Sequence, residues 1–196
     1  GNTQVTEFVL NSNEITAAGA TGIVQQLSKS IKVLDISNVV LLVDPKADKK
    51  RSTSTAEIPT KRLVQLWSAV SALGALEKLD RLTMDRNHLT GIDSFAKLTS
   101  LKNLSMSNNA FVKLPDNIYL IAGLRSLTIH TNALRELPRT IGELENLERI
   151  DVRSNQLTYL PTTLSQLKNL KYVDASENFI QSLHPSVCDW HSIEKL

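Results

Sequence analysis

Five asparagines recur at an almost constant interval between residues 87 and 178. The successive intervals are 22, 23, 23 and 23 residues. Each asparagine follows two alternating apolar residues and precedes another, as in Leu127-x-Ile129-x-x-Asn132-x-Leu134. A fixed period in this range is the sequence signature of a stacked repeat architecture. The five positions are Asn87, Asn109, Asn132, Asn155 and Asn178.

Each repeat contains a predicted β-strand and a predicted return segment. Apolar residues such as Leu82 and Met84 alternate with polar ones, which is the two-residue period of a half-buried strand. Between the strands, Leu-Pro pairs begin at Leu114, Leu137 and Leu160. Proline lacks an amide donor and has a fixed φ, so it suits a short helical return. The sequence predicts an α/β fold with a parallel concave β-sheet, one strand per repeat, and short helical or 3-10 segments on the convex side.

The repeated frame resembles the leucine-rich repeat, whose consensus is L-x-x-L-x-L-x-x-N-x-L. The resemblance is carried by LPRTIGELENLERIDVRSNQL and LPTTLSQLKNLKYVDASENFI. It is similar to the 23-residue type of intracellular Ras-binding scaffold proteins and of plant and bacterial arrays. The N-terminal unit, about 26 residues from Phe8 to Leu34, is closer to the ribonuclease-inhibitor type. The resemblance implies a curved, horseshoe-shaped solenoid that binds other proteins on its concave face, without implying which partner.

We expect a single leucine-rich repeat domain over residues 1–196, and we expect the chain to be part of a larger protein. The asparagine rule lapses near the N-terminus, where Val39 occupies the asparagine position, and residues 16–30 have the pattern of an amphipathic helix. Four stretches differ in regularity: atypical N-terminal repeats (1–45), a polar and exposed insertion (46–60), a helix (61–75) and regular 22–23-residue repeats, the last one incomplete (76–196).

Charge, hydropathy and cysteine content bear on three questions: nucleic-acid binding, membrane insertion and cellular compartment. A net charge of +2 does not imply a nucleic-acid partner, and Asp44 and Asp48 dilute the basic cluster around Lys49. The longest apolar run, Val39 to Val43, is too short for membrane insertion. Oligomeric state stays open. The single cysteine, Cys188, excludes an internal disulfide and favours the cytoplasm, although removal of a signal peptide would indicate an extracellular or periplasmic protein.

The candidate binding residues lie between the inward apolar residues of each strand, where side chains point to the concave surface. Middle strands offer short side chains such as Ser105 and Thr128, whereas the last strands carry arginine and tyrosine, which are enriched in interface hot spots. An alternative is that the charged residues only pair across adjacent strands. The predicted partner-binding residues are Arg81, Asp85, His130, Arg149, Asp151, Arg153, Tyr172 and Asp174.

The asparagines are expected to be structural, because their side chains can bond backbone groups that no neighbouring strand reaches. We expect no catalysis, cofactor or metal. His130 has no flanking carboxylate to orient it, and the spacing of His184, Cys188 and His191 does not match a zinc site. The sequence therefore favours a protein–protein interaction module or scaffold. The alternative is a surface-exposed or secreted bacterial protein that binds host or envelope targets.

Overall fold

The computed structural model describes residues 5–16, 31–42, 78–92, 95, 98–190 and 192–194. All but two of the strands in these ranges form one parallel sheet, in which sequence neighbours are also spatial neighbours. The predicted fold, a repeat solenoid with one parallel strand per repeat, is confirmed. The strands are β1 (Glu7–Val9), β2 (Glu14–Thr16), β3 (Val33–Asp35), β4 (Val40–Leu42), β5 (Arg81–Thr83), β6 (Asn103–Ser105), β7 (Ser126–Thr128), β8 (Arg149–Asp151) and β9 (Tyr172–Asp174).

The core lies behind this sheet and is almost entirely aliphatic. The central residue of each strand is the inward one, and the constant register places it beside the central residue of the next strand, as with Leu127 and Ile150. Phe95 and Phe111 are the aromatic side chains in the buried cluster of the described residues. Because each repeat covers only its neighbours, the core is a continuous column and no repeat can bury its apolar residues alone.

The return segments on the convex side are short 3-10 helices. The first three follow Pro115, Pro138 and Pro161, whose extended backbone precedes the first helical residue, so the predicted 3-10 returns are confirmed. In the fourth, His184 precedes the proline, and its Nδ1 accepts a hydrogen bond from the backbone N–H of Ser186 at 3.1 Å. The helices are η1 (Asp116–Leu120), η2 (Arg139–Glu143), η3 (Thr162–Gln166) and η4 (Pro185–Asp189).

Adjacent returns approach each other closely and are joined by side chains. The hydroxyl of Thr163 donates to the carbonyl oxygen of Arg139 at 2.8 Å, and the amide of Asn169 donates to that of Glu145 at 2.9 Å. At Gly142 a Cβ would lie 2.6 Å from the carbonyl oxygen of Thr163, so this position has no room for a side chain. These contacts hold successive repeats at a fixed separation on the convex side.

A column of asparagine side chains follows the turns that leave the strands. Asn155 is 5% exposed. Its Oδ1 accepts from the backbone N–H of Leu134 at 3.0 Å, and its Nδ2 donates to the carbonyl oxygens of Ile129 and Val152 at 3.1 and 2.9 Å. These bonds satisfy backbone groups that the strands leave unpaired. The same pattern of bonds to the preceding unit recurs at Asn87, Asn109, Asn132 and Asn178.

Between the two N-terminal units the column is interrupted at Val39, and backbone pairing takes its place, although Asn13 keeps the asparagine position of the first unit. Val39 has no polar side-chain atom, and β2 pairs in parallel with β4 directly after the turn, with Ile15 beside Leu41. The sequence analysis did not predict this second, two-stranded sheet. The array nevertheless continues across the irregular region, because Asn87 accepts from the N–H of Val39 at 2.9 Å and β3 pairs with β5.

One backbone feature is shared by both regions. The residue directly before each asparagine position has a positive φ between 51° and 60°. Non-glycine residues seldom adopt this left-handed conformation, and a β-branched residue such as Thr131 is the least suited to it. The residues are Ser12, Asn38, Arg86, Asn108, Thr131, Ser154 and Glu177.

Three predicted segments lie outside the described residues. They are the helix over 61–75, the insertion over 46–60 and the helix over 16–30, except for Thr16, which ends β2. Within the described ranges, no helix combines the length and the apolar character that crossing a membrane requires.

Candidate functional site

The constant register arranges the concave side chains in rows that run across the strands. The first row comes from the first residue of each strand, the second row from its third residue, and the third row from the residue two positions later. All eight candidate residues fall in these rows, so the fold brings them onto one surface. From β5 to β9 the rows are Arg81, Asn103, Ser126, Arg149 and Tyr172; Thr83, Ser105, Thr128, Asp151 and Asp174; and Asp85, Ser107, His130, Arg153 and Ser176.

The carboxylates of this surface are bonded within the chain. Asp85 accepts hydrogen bonds from the hydroxyl of Ser105 at 2.8 Å and from the N–H of Ser107 at 2.7 Å. Asp151 is only 5% exposed and accepts from the N–H of Arg153 at 3.3 Å, so it offers a partner less surface than its position in the sequence suggests. The Nε of Arg153 lies 3.8 Å from the same carboxylate oxygen.

Asp174 is the most fully bonded carboxylate of the surface. Its Oδ1 accepts from the hydroxyl and the N–H of Ser176 at 2.6 and 3.1 Å, and its Oδ2 accepts from the hydroxyl of Tyr172 at 3.1 Å. The bond from the Ser176 hydroxyl contributes most to lowering the pKa of Asp174; partial burial opposes it, while the other two bonds and the positive field of Arg153 reinforce it.

The arginines have few such partners. The guanidinium of Arg149 lies 3.6 Å from the centre of the Tyr172 ring, a cation–π contact, and its N–H groups form no hydrogen bond with a described residue. Arg81 is exposed, and neither arginine forms an ion pair with a described residue. His130 is half-buried, with Nδ1 3.0 Å from the hydroxyl of Thr131.

The charges of the last strands contact one another mainly within a strand and its exit turn, although the field of Arg153 also acts on Asp174 of the next strand. The ion pair of Arg153 with Asp151 and the hydrogen bonds of Asp174 join residues of the same strand and its exit turn. Charges do pair across strands one residue before the strands begin, where Lys102 lies 2.9 Å from Asp80 and Arg125 lies 3.3 Å from Glu148. This outer line of charges borders the concave surface.

A shallow depression of about 150 Å³ lies in the middle of the surface. Of its lining residues, only Arg81 belongs to the predicted binding set. Alternation along the strands places Asn103 and Ser126 on the concave surface, but their short polar side chains are not among the predicted binding residues. Among the described residues, no group of three metal-ligating side chains could hold an ion. The depression is lined by Arg81, Leu82, Thr83, Asn103, Leu104, Ser105, Ser126 and Thr128.

Comparison with known proteins agrees with this architecture. Residues 122–189 match the family profile described as leucine rich repeat. The chain is a leucine-rich repeat protein. Members of this family are typically non-enzymatic binding scaffolds.

Solved leucine-rich repeat structures share the fold over most of this chain. A leucine-rich repeat protein from Leptospira interrogans has a TM-score of 0.71 and 25% identity, over 97% of this chain and 42% of its own. An internalin from Listeria monocytogenes has a TM-score of 0.60 and 17% identity, over 95% and 58%. The PEPR1–AtPEP1 structure has a TM-score of 0.63 and 21% identity, over 90% and 22%. The chain thus spans less than two thirds of each neighbour, and it has no match among curated proteins.

Proposed function

We propose that this leucine-rich repeat chain is a protein-interaction module, part of a larger scaffold, that binds a protein or peptide on its concave surface. The observation that carries the proposal is the set of unpaired donors on that surface. Arg81 and Arg149 have no ion-pair partner in the described ranges, and the side chains of Asn103, Ser126 and Thr128 form no hydrogen bond there. Such groups gain most from a partner that completes their bonding.

The sheet holds these groups in place before any partner arrives. The asparagine column and the convex side-chain bonds fix the separation of the strands, as at Asn155 and Thr163. A surface fixed in this way loses little conformational entropy when it binds. Rigid presentation of open donors is what an interaction surface requires.

Catalysis is not part of this proposal. A general base needs a pKa near the working pH, whereas the bonds to Asp174 lower its pKa and make it a weaker base. The depression between Arg81 and Ser126 is shallow and open to solvent, so it does not exclude water from a reacting group. Cofactors, nucleic acid and membrane insertion are likewise outside the proposed function.

The test is affinity capture from a native lysate with quantitative mass spectrometry. The test variant is Arg81→Glu/Arg149→Glu, since both side chains are accessible and free of ion pairs in the described structure. Arg153 is left unchanged because it faces the buried carboxylate of Asp151. The matched control, Arg139→Glu/Lys168→Glu, makes the same charge change at exposed residues of the convex side. We expect the control to retain partners that the test variant loses; equal recovery by both variants would refute concave binding.

A second candidate is a surface-exposed or secreted bacterial protein that binds host or envelope targets. The Leptospira interrogans neighbour, at 25% identity, supports the bacterial origin that this candidate assumes, whereas the single cysteine favours the cytoplasmic scaffold. Cys188 is exposed and can report the compartment. Labelling of Cys188 in intact cells by a membrane-impermeant maleimide would support surface display, whereas labelling only after lysis would support the cytoplasmic scaffold.

A further inference from the structure

We propose that the concave surface recognises an acidic, extended peptide segment, with one carboxylate at Arg81 and a second at Arg149. This inference rests on the proposed function and specifies its partner. The acidic and basic side chains of the surface differ in how far they are already bonded. Formal charges on the surface are mixed in sign, but Asp85 and Asp174 are hydrogen-bonded within the chain, whereas the two arginines have no anionic partner among the described residues.

Stacking on Tyr172 orients the guanidinium of Arg149 for binding a carboxylate. The ring of Tyr172 supports one face of its guanidinium at 3.6 Å, which limits the rotamers that this long side chain would otherwise sample. The guanidinium edge, which carries the hydrogen-bond donors, stays available for the two-pronged bond that arginine forms with a carboxylate. The stacked Arg149 is therefore the primary anchor.

The distance between the two arginines sets the spacing of the carboxylates. Arg81 and Arg149 occupy the same register position three strands apart. Adjacent strands lie about 4.8 Å apart, so the two positions are separated by about 14 Å. An extended peptide advances about 3.3 Å per residue and would cover this span in about four residues. A four-residue interval also places both side chains on the same face of an extended chain.

The surface between the arginines suits a peptide backbone. Asn103 and Ser126 occupy the intervening row positions, and the depression behind them reaches Thr83 and Thr128. These short polar side chains leave room for an extended segment and offer both donors and acceptors to its N–H and C=O groups. The two charges fix the ends of the segment, and this polar floor contacts its middle.

A dense polyanion fits this surface less well than a peptide with two separate carboxylates. Asp85, Asp151 and Asp174 lie among the basic residues and would repel closely spaced phosphates or sulfates. The aromatic ring of the surface, Tyr172, is covered by Arg149 and is not open for stacking with a base. The charge pattern therefore favours an acidic peptide over nucleic acid or heparin.

The experiment is selection of random 12-residue peptides displayed on phage, using the full chain as bait. Parallel selections use Arg81→Gln/Arg149→Gln and the convex control Arg139→Gln/Lys168→Gln, after circular dichroism has established equal melting temperatures. We expect peptides with two Asp or Glu residues four positions apart. A synthetic consensus peptide should bind the wild type and the control equally, and the arginine variant about tenfold more weakly or worse.

Three further arms separate the possible failures. Synthetic peptides with carboxylates three, four and five residues apart should bind best at four, and their Gln counterparts should lose binding. A selected peptide that needs the concave residues but no carboxylate would overturn this inference and leave the proposed function standing. Tighter binding of heparin or a 20-nucleotide single-stranded DNA at the same arginines would also overturn it. Absence of any concave-dependent peptide, together with an unchanged lysate capture, would overturn both.

Discussion

The two N-terminal units and the regular array continue the same sheet but satisfy the turns after their strands by different means. In the array, an asparagine such as Asn155 bonds the backbone of the preceding repeat. In the second N-terminal unit, Val39 occupies that position, and this unit joins the first through backbone pairing of β2 with β4. The comparison shows that the solenoid requires satisfied backbone groups at this turn rather than asparagine itself. Two of our four predictions test this interpretation; the others test the left-handed residue of the same turn and a concave carboxylate of the array.

The largest expected effect is the loss of an interior asparagine. Asn155→Ala leaves the N–H of Leu134 and the carbonyl of Ile129 without their side-chain partner in a buried turn. We expect it to lower the free energy of unfolding by about 2–3 kcal/mol, measured by urea denaturation. Asn13→Ala is the matched control from the N-terminal region.

The control should have a much smaller effect. Asn13 is exposed, and among the described residues it bonds the carbonyls of Leu10 and Asn11 in its own unit. Its loss should cost about 0.5 kcal/mol or less, because water can replace the amide. Equal destabilisation by Asn13→Ala and Asn155→Ala would mean that the asparagine column does not account for the stability of the array.

The next effect comes from restoring an asparagine where the array lacks one. At Val39, which is 5% exposed, β2 and β4 already pair through their backbones directly after the turn, in place of the bonds that an asparagine side chain makes in the array. We expect Val39→Asn to lower the free energy of unfolding by about 1–2 kcal/mol, through an unsatisfied buried amide. Val39→Ala, which removes apolar contacts without adding an amide, is the control. If Val39→Asn proves more stable than Val39→Ala, an asparagine side chain and β2–β4 backbone pairing are compatible at this turn, and the interpretation that one replaces the other is wrong.

A smaller effect is expected from exchanging the left-handed residues of the two regions. Thr131 and the equivalent Asn38 have nearly the same φ, 55° and 51°, although their side chains differ. Asparagine tolerates this conformation better than a β-branched residue, so Thr131→Asn should raise the free energy of unfolding by about 1 kcal/mol. Asn38→Thr should lower it by a similar amount. Denaturation of both variants checks the pair; shifts of the same sign would show that the conformation is not the cause.

The smallest effect concerns the pH dependence of the carboxylates. Because the pKa of Asp174 is lowered in the folded state, its ionised form stabilises the fold above the unfolded pKa of aspartate, and this stabilisation is lost as the pH falls through the folded pKa. We expect Asp174→Asn to reduce the loss of stability between pH 5 and about pH 2. Urea denaturation across this range measures the slope, and an unchanged slope would contradict the hydrogen-bonded carboxylate.

The repeat period predicted most of the fold because its signals are local. Alternating residues such as Leu82 and Met84 located the strands, and the Leu-Pro pairs located the 3-10 returns. The β2–β4 sheet had a partial signal, because β4 lies in the apolar run from Val39 to Val43, but its pairing with β2 depends on the register of two distant segments and required the structure. The positive-φ position also has no consensus, since residue types as different as Arg86, Thr131 and Glu177 occupy it.

The candidate surface was predictable in position but not in the state of its charges. Alternation along the strands placed Arg149 and Asp174 on the concave side. The engagement of the carboxylates had a partial signal, because an aspartate often accepts the N–H two residues later, as Asp174 does from Ser176. The stacking of Arg149 on Tyr172 depends on the register of two strands and required the structure.

The contact between Asn87 and Val39 has a consequence for the order of folding. It joins groups 48 residues apart in the chain, whereas the contact between Asn109 and Asn87 spans 22. Each doubling of a closed loop adds about 0.6 kcal/mol of entropic cost, so the junction beside the irregular region is the slowest to form. We therefore expect the transition state to contain contacts of the regular array, with the N-terminal units joining after the barrier.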